Sequence, residues 1–387
     1  MQNVLILGAG FGGLELATRL SESLSDDVRV TLVDQNDSFV FGFSKLEILF
    51  GRRTREEVRC PYRDIARPGI EFRQERVTTI DAQARHVDTD AGSYEPDILV
   101  VALGADYNPA ATPGFVEDGY EYYSLDAAER LRDVLPSFSG GTVLIAILGV
   151  PFKCPPAPYE GALLLHEYLV HRGVRDATQI HVISPMESPI PVSLETSEAI
   201  VRALGERDIG YTPGRRVNGI DPTEHVARLK TEDLPYDLFI GIPVHRAPAV
   251  VEASGLTAGG KDGWVAVDPR NLATRFPNVY ALGDCADAPV PRAGVFAETA
   301  ARAVADDIAA KIHGYRSVDP YDGTGTCYIE FGGGLVGKVD ADFLSGPSPK
   351  APFTGPAPEL AGEKEHFAAT RRRRWFGGSK HDAATTL

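Results

Sequence analysis

The chain has 387 residues, of which 43% are hydrophobic and 24% are charged. This is the composition of an ordinary globular protein, and the length is enough for two or three domains. The formal net charge of −15 excludes a nucleic acid as a favourable partner, because an acidic surface repels phosphate. No apolar run approaches the ~18–20 residues of a membrane-spanning helix, and the N-terminus has no signal-peptide pattern. We therefore expect a cytoplasmic protein.

Two strand–turn–helix–strand units, about 141 residues apart, organise the sequence. Such units form parallel sheets, so the sequence predicts an α/β fold with two Rossmann-like dinucleotide-binding domains. The first unit comprises Val4–Leu7, a helix over about Leu14–Leu24 and Val28–Val33. The second comprises Thr142–Leu148, a helix over about Ala157–Arg172 and Ile180–Ile183.

The predicted domains follow from these units. The first dinucleotide-binding domain comes in two parts, residues 1–110 and 255–320, and residues 111–254 form the second domain between them. Residues 321–387 form a C-terminal extension that caps the cofactor. Within it, Gly346–Pro358 has the composition of a linker or extended strap, and a last helix runs from about Glu359 to Phe376.

A dinucleotide fingerprint lies between the first strand and the first helix. Gly8 allows the tight turn, Gly10 lets the backbone approach a pyrophosphate, and Gly13 allows close helix–strand packing. The helix N-terminus attracts the phosphates, and an acidic residue 21 positions after Gly13 holds the ribose hydroxyls. The predicted cofactor-binding residues here are Gly8, Gly10, Phe11, Gly12, Gly13 and Asp34.

Later motifs indicate which dinucleotide binds. Asn278–Asp284 resembles the second FAD motif of the two-dinucleotide-domain flavoproteins, which are glutathione reductase-like, and Ala102–Gly104 resembles their middle motif. Pro291–Glu298 enters a long helix whose first amides would face the flavin. This resemblance implies FAD as the cofactor and adds Ala102, Gly104, Gly283, Asp284, Arg292, Ala293 and Gly294 to the predicted cofactor-binding residues.

The second unit lacks the means to bind NAD(P)H. Gly149–Cys154 keeps the first glycine of the fingerprint, but Pro151 removes an N–H where the backbone must meet a pyrophosphate. The strand that follows ends without an acidic residue. We interpret this as a nicotinamide site converted to another use, with Cys154 at the start of a helix. The helix dipole and Lys153 are expected to lower the pKa of its thiol.

Two segments carry a closer resemblance. Lys153–Glu160 is similar to the cysteine motif of the sulfide:quinone oxidoreductase and flavocytochrome c sulfide dehydrogenase superfamily, and Thr326–Glu330 is similar to its second cysteine segment. The resemblance covers nearly the whole chain. It implies that Cys154 and Cys327 meet over the flavin as a redox pair, that sulfide opens their disulfide and that a polysulfide is released. Glu160 would then act as the proton acceptor, or else pair with the helix dipole.

The sequence also departs from these families. Quinone-reducing members have a third catalytic cysteine where this chain has Tyr122–Leu125, and cytochrome-linked members attach FAD through a cysteine in the segment that matches Ser38–Arg52. Neither segment contains one here. We therefore predict noncovalent FAD. Cys60 and Cys285 fit structural roles, and no cysteine has metal-ligand spacing, so no metal is expected.

The C-terminal tail leaves two possibilities open. Arg371–Phe376 carries four arginines followed by two aromatic residues, which suit either a membrane surface or docking on the acidic body of the protein. The alternating Phe39, Phe41 and Phe43 suit either core packing or contact with the flavin. A homodimer also remains open.

The predicted activity is that of a sulfide or persulfide dehydrogenase which passes electrons through Cys154, Cys327 and FAD to a quinone or a cytochrome. One alternative is an NAD(P)H-dependent flavin dehydrogenase. Another, of a different class, is a flavin-bearing redox sensor or binding protein in which the thiols switch conformation without turnover. In the plainest reading, the two cysteines are small buried residues that never meet.

Overall fold

The computed structural model describes residues 1–315 and 318–377. Its first sheet is parallel and packs on both faces. The helices Phe11–Leu24 and Gly294–His313 cover one face, and a small antiparallel sheet that includes Ile80 and Val87 covers the other. The strand that starts the chain lies in the middle and pairs with a neighbour on each side. The spatial order is Val279–Ala281, Ile98–Val101, Gln2–Leu7, Val28–Asp34 and Ile70–Gln74.

The second sheet is also parallel and belongs to the inserted part of the chain. Its order is Ile209–Thr212, Thr178–Ile183, Gly141–Ile147 and Leu238–Ile242. Because the strand Val279–Ala281 returns to the first sheet, the first domain is discontinuous in sequence. The predicted α/β class with two Rossmann-like sheets is confirmed. The domain boundaries stay a prediction.

Smaller antiparallel sheets and helices complete these layers. The other strands before the C-terminal extension are Ser38–Val40, Arg59–Pro61, Val77–Asp81, His86–Thr89, Ser93–Tyr94, Asp106–Asn108, Gly219–Asp221, Val226–Arg228, Asp233–Pro235 and Val244–Arg246. The α-helices are Phe11–Leu24, Ser44–Leu49, Arg55–Val58, Phe115–Asp118, Leu125–Val134, Ala157–His171, Leu194–Gly205, Ala249–Ala253, Gly294–His313 and Glu359–Phe376. In the described part of the chain, no helix is long and apolar enough to cross a bilayer.

The C-terminal extension forms a three-stranded antiparallel sheet followed by a helix. Its strands are Thr324–Gly332, Leu335–Asp342 and Phe353–Ala357. Of the two predicted possibilities for Gly346–Pro358, its second half agrees with an extended strap, because it pairs with the middle strand. Pro356 is tolerated there because the strand lies at the sheet edge. The helix Glu359–Phe376 has the predicted limits.

The end of this helix docks on the first domain. Trp375 is 0% exposed and Phe376 is 8% exposed. The indole Nε1 of Trp375 donates a 2.9 Å hydrogen bond to Glu15, whose carboxylate also pairs with Arg374 at 2.8 Å. Of the two possibilities left open for the tail, the structure shows docking on the body, with both aromatic residues buried. Lys380, farther along the tail, lies outside the described residues.

The three alternating phenylalanines belong to the same aromatic cluster. Phe41 is fully buried and stacks on Phe43 with the ring centroids 5.3 Å apart. Phe39 packs edge-on against Trp375 at 5.4 Å. Core packing therefore accounts for this segment, although Phe39 and Phe43 also reach the wall of the main cavity.

Candidate functional site

A cavity of about 1000 Å³ lies where the first domain, the second-domain helix Ala157–His171 and the C-terminal sheet meet. The three predicted catalytic residues, Cys154, Glu160 and Cys327, all line it. So do most of the predicted cofactor-binding residues: Gly8, Gly10, Phe11, Gly12, Asp34, Ala102, Gly104, Gly283, Asp284, Ala293 and Gly294. The fold therefore brings the two groups of predicted residues to one place.

The turn after the first strand has the predicted glycine chemistry. Gly8 has a φ of +99°, a conformation that L residues rarely adopt. A Cβ atom on Gly13 would lie 1.9 Å from the carbonyl oxygen of Gly8, so only glycine permits this packing of helix against strand. A Cβ on Gly10, in contrast, would meet no protein atom within 4 Å. Gly10 thus leaves open space at the cavity, as close approach of a ligand to the backbone requires.

Two helices begin at this cavity with free amides. Within the described residues, no side chain caps the helices that start at Phe11 and Gly294, and neither has an acidic residue in its first turn. Uncapped helix N-termini attract anions such as phosphate. Asp34 holds the turn in place, since its Oδ2 accepts a 2.8 Å hydrogen bond from the amide of Ala9. These features fit a bound dinucleotide.

Two predicted cofactor residues lie behind the cavity wall instead of on it. Gly13 packs against Gly8, as described. The guanidinium of Arg292 lies 3.8 Å from the ring centroid of Trp264, and its Nε donates a 3.0 Å hydrogen bond to the carbonyl oxygen of Asp284. Arg292 therefore positions the Gly-Asp motif from behind.

The second unit does not have a Rossmann turn. Three residues, 8–10, join strand to helix in the first unit, whereas the nine residues 148–156 do so in the second. The longer loop carries Cys154 to the first domain, where its amide donates a 2.7 Å hydrogen bond to the carbonyl oxygen of Arg292. Cys154 has a φ of +54°, which is unusual for a residue with a side chain. Backbone strain of this kind concentrates at functional sites.

Aromatic side chains fill the carboxyl edge of the second sheet. Tyr159, from the second-domain helix, is fully buried and lies edge-on to Tyr211 with the ring centroids 5.9 Å apart. Its hydroxyl reaches Ser184 at 3.5 Å, at the position where a ribose-binding acid would be expected. This packing agrees with the loss of the nicotinamide fingerprint.

The Cys154 side chain is exposed to the open cavity, and protein surrounds that cavity. Burial raises the pKa of this thiol, and the charges of Glu160 and Cys327 raise it further. The prediction of a lowered pKa is therefore wrong. The first helical amide, from Ala157, and the ammonium of Lys45 do act in the predicted direction, but they do not offset burial.

Cys327 lies on the first strand of the C-terminal sheet, and burial raises its pKa to about 12. Both Cys154 and Cys327 are free thiols in the structure. Cys60 and Cys285 are buried and do not belong to the cavity wall. The thiol of Cys285 donates to the carbonyl oxygens of Val101 and Leu282, each at 3.4 Å, which suits a structural role.

Glu160 is 3% exposed and accepts a 2.9 Å hydrogen bond from the backbone amide of Glu330. Burial raises its pKa to about 7, although the nearby ammonium of Lys364 opposes the shift. A carboxyl group with a pKa near neutrality can both accept and release a proton under ordinary conditions. The role of Glu160 as proton acceptor stays a prediction.

Sequence reasoning missed several charged residues around this cavity. Lys45 and Lys364 line it, and Glu330 bridges Lys364 and Arg52, at 2.7 Å from the Arg52 guanidinium. One signal was available for Lys45, because it is a lysine within an otherwise apolar aromatic segment. No local pattern marks the pairing of Glu330 with Lys364, which are 34 residues apart.

The fold and the cavity together define a flavoprotein oxidoreductase with two Rossmann-like domains. Residues 2–305 match the family model of the pyridine nucleotide-disulphide oxidoreductases, and the chain belongs to this family.

Individual relatives have low sequence identity. The chain is 24% identical over 370 residues to the mitochondrial sulfide:quinone oxidoreductase of Mus musculus, covering 90% of this chain and 80% of the relative. It is 30% identical over 242 residues to the alternative NAD(P)H-ubiquinone oxidoreductase C1 of Arabidopsis thaliana, covering 56% of this chain and 45% of the relative.

Solved structures share the fold. The sulfide:quinone oxidoreductase of Aquifex aeolicus superposes with a TM-score of 0.85 at 24% identity, covering 98% of this chain and 93% of that one. NDH2 of Plasmodium falciparum, solved in complex with NADH, superposes with a TM-score of 0.73 at 14% identity, covering 96% and 94%.

Proposed function

We propose that the protein is an FAD-dependent sulfide or persulfide dehydrogenase that delivers electrons to a quinone. The observation that carries this proposal is the convergence of Cys154 and Cys327 on one cavity with the predicted cofactor residues. These thiols come from different parts of the chain, and nothing in a plain structural role requires them to share a cavity.

FAD is proposed to bind noncovalently. The glycine turn and Asp34 would hold its adenosine diphosphate part, and Asp284 and the helix that starts at Gly294 would hold the flavin part. When bound, FAD supplies two-electron redox chemistry. The segment 38–52 contains no cysteine that could form a covalent link.

The sulfur chemistry is assigned to the two cysteines. In the proposed oxidised state they form a disulfide, and hydrosulfide attacks one of the two sulfur atoms. The S–S bond breaks, one cysteine carries the added sulfur as a persulfide, and the other leaves as a thiolate. Glu160 accepts the proton of the persulfide, for which its pKa of about 7 is suited.

A quinone acceptor is favoured by the wall that the C-terminal extension contributes. Ile329, Val339, Phe343 and Phe367 line the cavity with apolar surface, and Lys364 adds a cation among them. Such a wall suits a flat apolar ring with carbonyl oxygens. Relatives named as quinone oxidoreductases agree with this. A cytochrome remains the alternative acceptor. We propose a cytoplasmic location. Contact with the inner face of the cell membrane is the alternative, and the docked tail does not favour it.

Anaerobic addition of sulfide to the purified flavoprotein tests the proposal. We expect the flavin absorbance to bleach rapidly in the wild type and about 100-fold or more slowly in Cys154→Ser. Cys285→Ser is the matched control, because a hydroxyl can donate to the same two carbonyl oxygens, and it should bleach at the wild-type rate. Equal rates for Cys154→Ser and the wild type would contradict the thiol mechanism.

The same preparation separates the alternatives. Rapid bleaching by NADH would favour the NAD(P)H dehydrogenase, whose cofactor the rebuilt loop 148–156 and the buried Tyr159 disfavour. Steady-state reduction of a soluble quinone would exclude a redox sensor without turnover.

A further inference from the structure

Lys45 and Lys153 line the same cavity as Cys154. Among the described residues, no hydrogen bond or ion pair holds the Lys45 ammonium, and it responds to burial and to the charges of nearby groups. Burial lowers its pKa to about 8, and repulsion from Lys153 contributes. A buried ammonium without a partner is costly, so this group calls for an anion.

The Lys153 ammonium contacts an aromatic ring. Its Nζ lies 4.6 Å from the ring centroid of Tyr107, in cation–π geometry. Tyr107 is itself fixed, because its hydroxyl donates a 2.8 Å hydrogen bond to the carbonyl oxygen of Tyr123. An aromatic face neutralises no charge, so the Lys153 ammonium still attracts an anion in the cavity, alongside its interactions with the Asp284 and Glu121 carboxylates.

Three cations, Lys153, Arg292 and Lys45, act on the Asp284 carboxyl group, and Glu160 is a further carboxyl group that acts on Cys154. Asp284 and Glu121 are the carboxylates that act on Lys45, and Arg292 is a third cation close to Asp284. The Glu121 carboxylate is occupied locally, since it accepts hydrogen bonds from the amides of Tyr123 and Ser124 and from the Ser124 hydroxyl.

His245 adds no charge to this group. Its Nδ1 donates a 2.8 Å hydrogen bond to the carbonyl oxygen of Pro243, and burial lowers its pKa to about 3, so the ring is neutral.

We propose that Lys45 and Lys153 bind a sulfur monoanion beside Cys154 and thereby select anionic sulfur substrates, of hydrosulfide or persulfide type, over neutral thiols. The inference rests on the proposed function for the identity of the substrate. The anion site itself rests on the two lysines. Because hydrosulfide is the nucleophile in disulfide opening, a site that concentrates the anion also supplies the reactive form.

Thiocyanate, an unreactive sulfur monoanion, tests the site without turnover. The oxidised flavoprotein is titrated with thiocyanate at constant ionic strength, and the visible flavin spectrum reports binding. We expect a saturable spectral change in the wild type and a dissociation constant raised about tenfold or more in Lys45→Met and in Lys153→Met. Acetonitrile, which is neutral and of similar shape, should produce no saturable change.

Two further variants complete the design. Lys230→Met, at an exposed position, should titrate like the wild type. Lys45→Arg keeps the positive charge and should retain most of the affinity for thiocyanate. Retained affinity would also show that a substitution at this position does not unfold the protein. If Lys45→Met does not fold, Lys153→Met measures the same site. The inference is overturned if the wild type shows no saturable change, or if both methionine variants titrate like the wild type.

The outcome is independent of the proposed activity. If sulfide fails to bleach the wild-type flavin while thiocyanate binding depends on the lysines, the sulfide assignment is wrong and the anion site stands. If sulfide bleaches the flavin but the lysine substitutions do not change thiocyanate binding, the proposed activity stands and this inference is wrong.

Discussion

The backbone amide of Glu330 donates a 2.9 Å hydrogen bond to the Oε1 atom of Glu160. One residue belongs to the C-terminal sheet and the other to the second-domain helix, 170 positions earlier in the chain. The contact joins these two elements at the cavity that Cys154 and Cys327 line, and it places a buried carboxyl group next to a charged cluster. The predictions below test how that arrangement and the cofactor turn work.

Glu160→Gln should stabilise the protein at high pH. Burial raises the pKa of Glu160 from an ordinary value of 4.5 to about 7 in the folded state. The buried carboxylate therefore destabilises the folded state above pH 7, whereas below pH 4.5 the group is neutral and has no such effect. Removing that charge should raise the free energy of unfolding at pH 8 by about 3 kcal/mol and change it little at pH 4.5. Thermal unfolding at the two pH values measures this. Glu167→Gln, on the same helix, is the control and should show no such pH-dependent gain.

Lys364→Met should destabilise the fold. Lys364 and Glu330 form an ion pair in which each side chain is only 11% exposed, so removing the ammonium leaves the buried carboxylate with Arg52 as its one remaining ion-pair partner among the described residues. We expect a loss of about 3 kcal/mol, measured by denaturant unfolding, and a partial recovery in the double variant Glu330→Gln/Lys364→Met. Lys338→Met breaks the more exposed pair with Glu363 and should change stability little. Equal effects of the two single variants would contradict the role given to burial.

Trp375→Ala should weaken flavin retention as well as stability. The Trp375 ring lies edge-on to Phe11, with the ring centroids 5.5 Å apart, and Phe11 starts the helix at the cofactor turn. We expect a loss of about 3–5 kcal/mol in stability and a lower flavin content after dialysis. Arg373→Ala, at an exposed position on the same helix, is the control. Unchanged flavin retention in Trp375→Ala would show that the docked tail has no effect on the turn.

Gly10→Ala should impair flavin binding, whereas Gly13→Ala should impair folding. A Cβ on Gly13 would clash with the Gly8 carbonyl oxygen, so that variant should unfold at a much lower temperature or not accumulate. A Cβ on Gly10 would point into open space, so that variant should fold normally and bind flavin weakly. Circular dichroism and flavin content, measured on both, separate the two effects. Full flavin occupancy in Gly10→Ala would remove Gly10 from the binding surface.

The sequence by itself determined the two βαβ units, the glycine turn with Asp34, the loss of the second fingerprint and the cysteine motifs. These features depend on neighbouring residues: the period of apolar side chains, the conformational freedom of Gly8 and the missing N–H of Pro151 are all local properties.

Only the tertiary structure decided how distant residues meet and what their surroundings do to them. Burial raised the pKa of Cys154, where the local reasoning from a helix start and Lys153 had predicted a lower one. Packing placed Trp375 against Glu15 instead of leaving it for a membrane, and it set Lys45 beside Cys154. Desolvation and long-range charge depend on everything that surrounds a group, and no stretch of neighbouring residues encodes those surroundings.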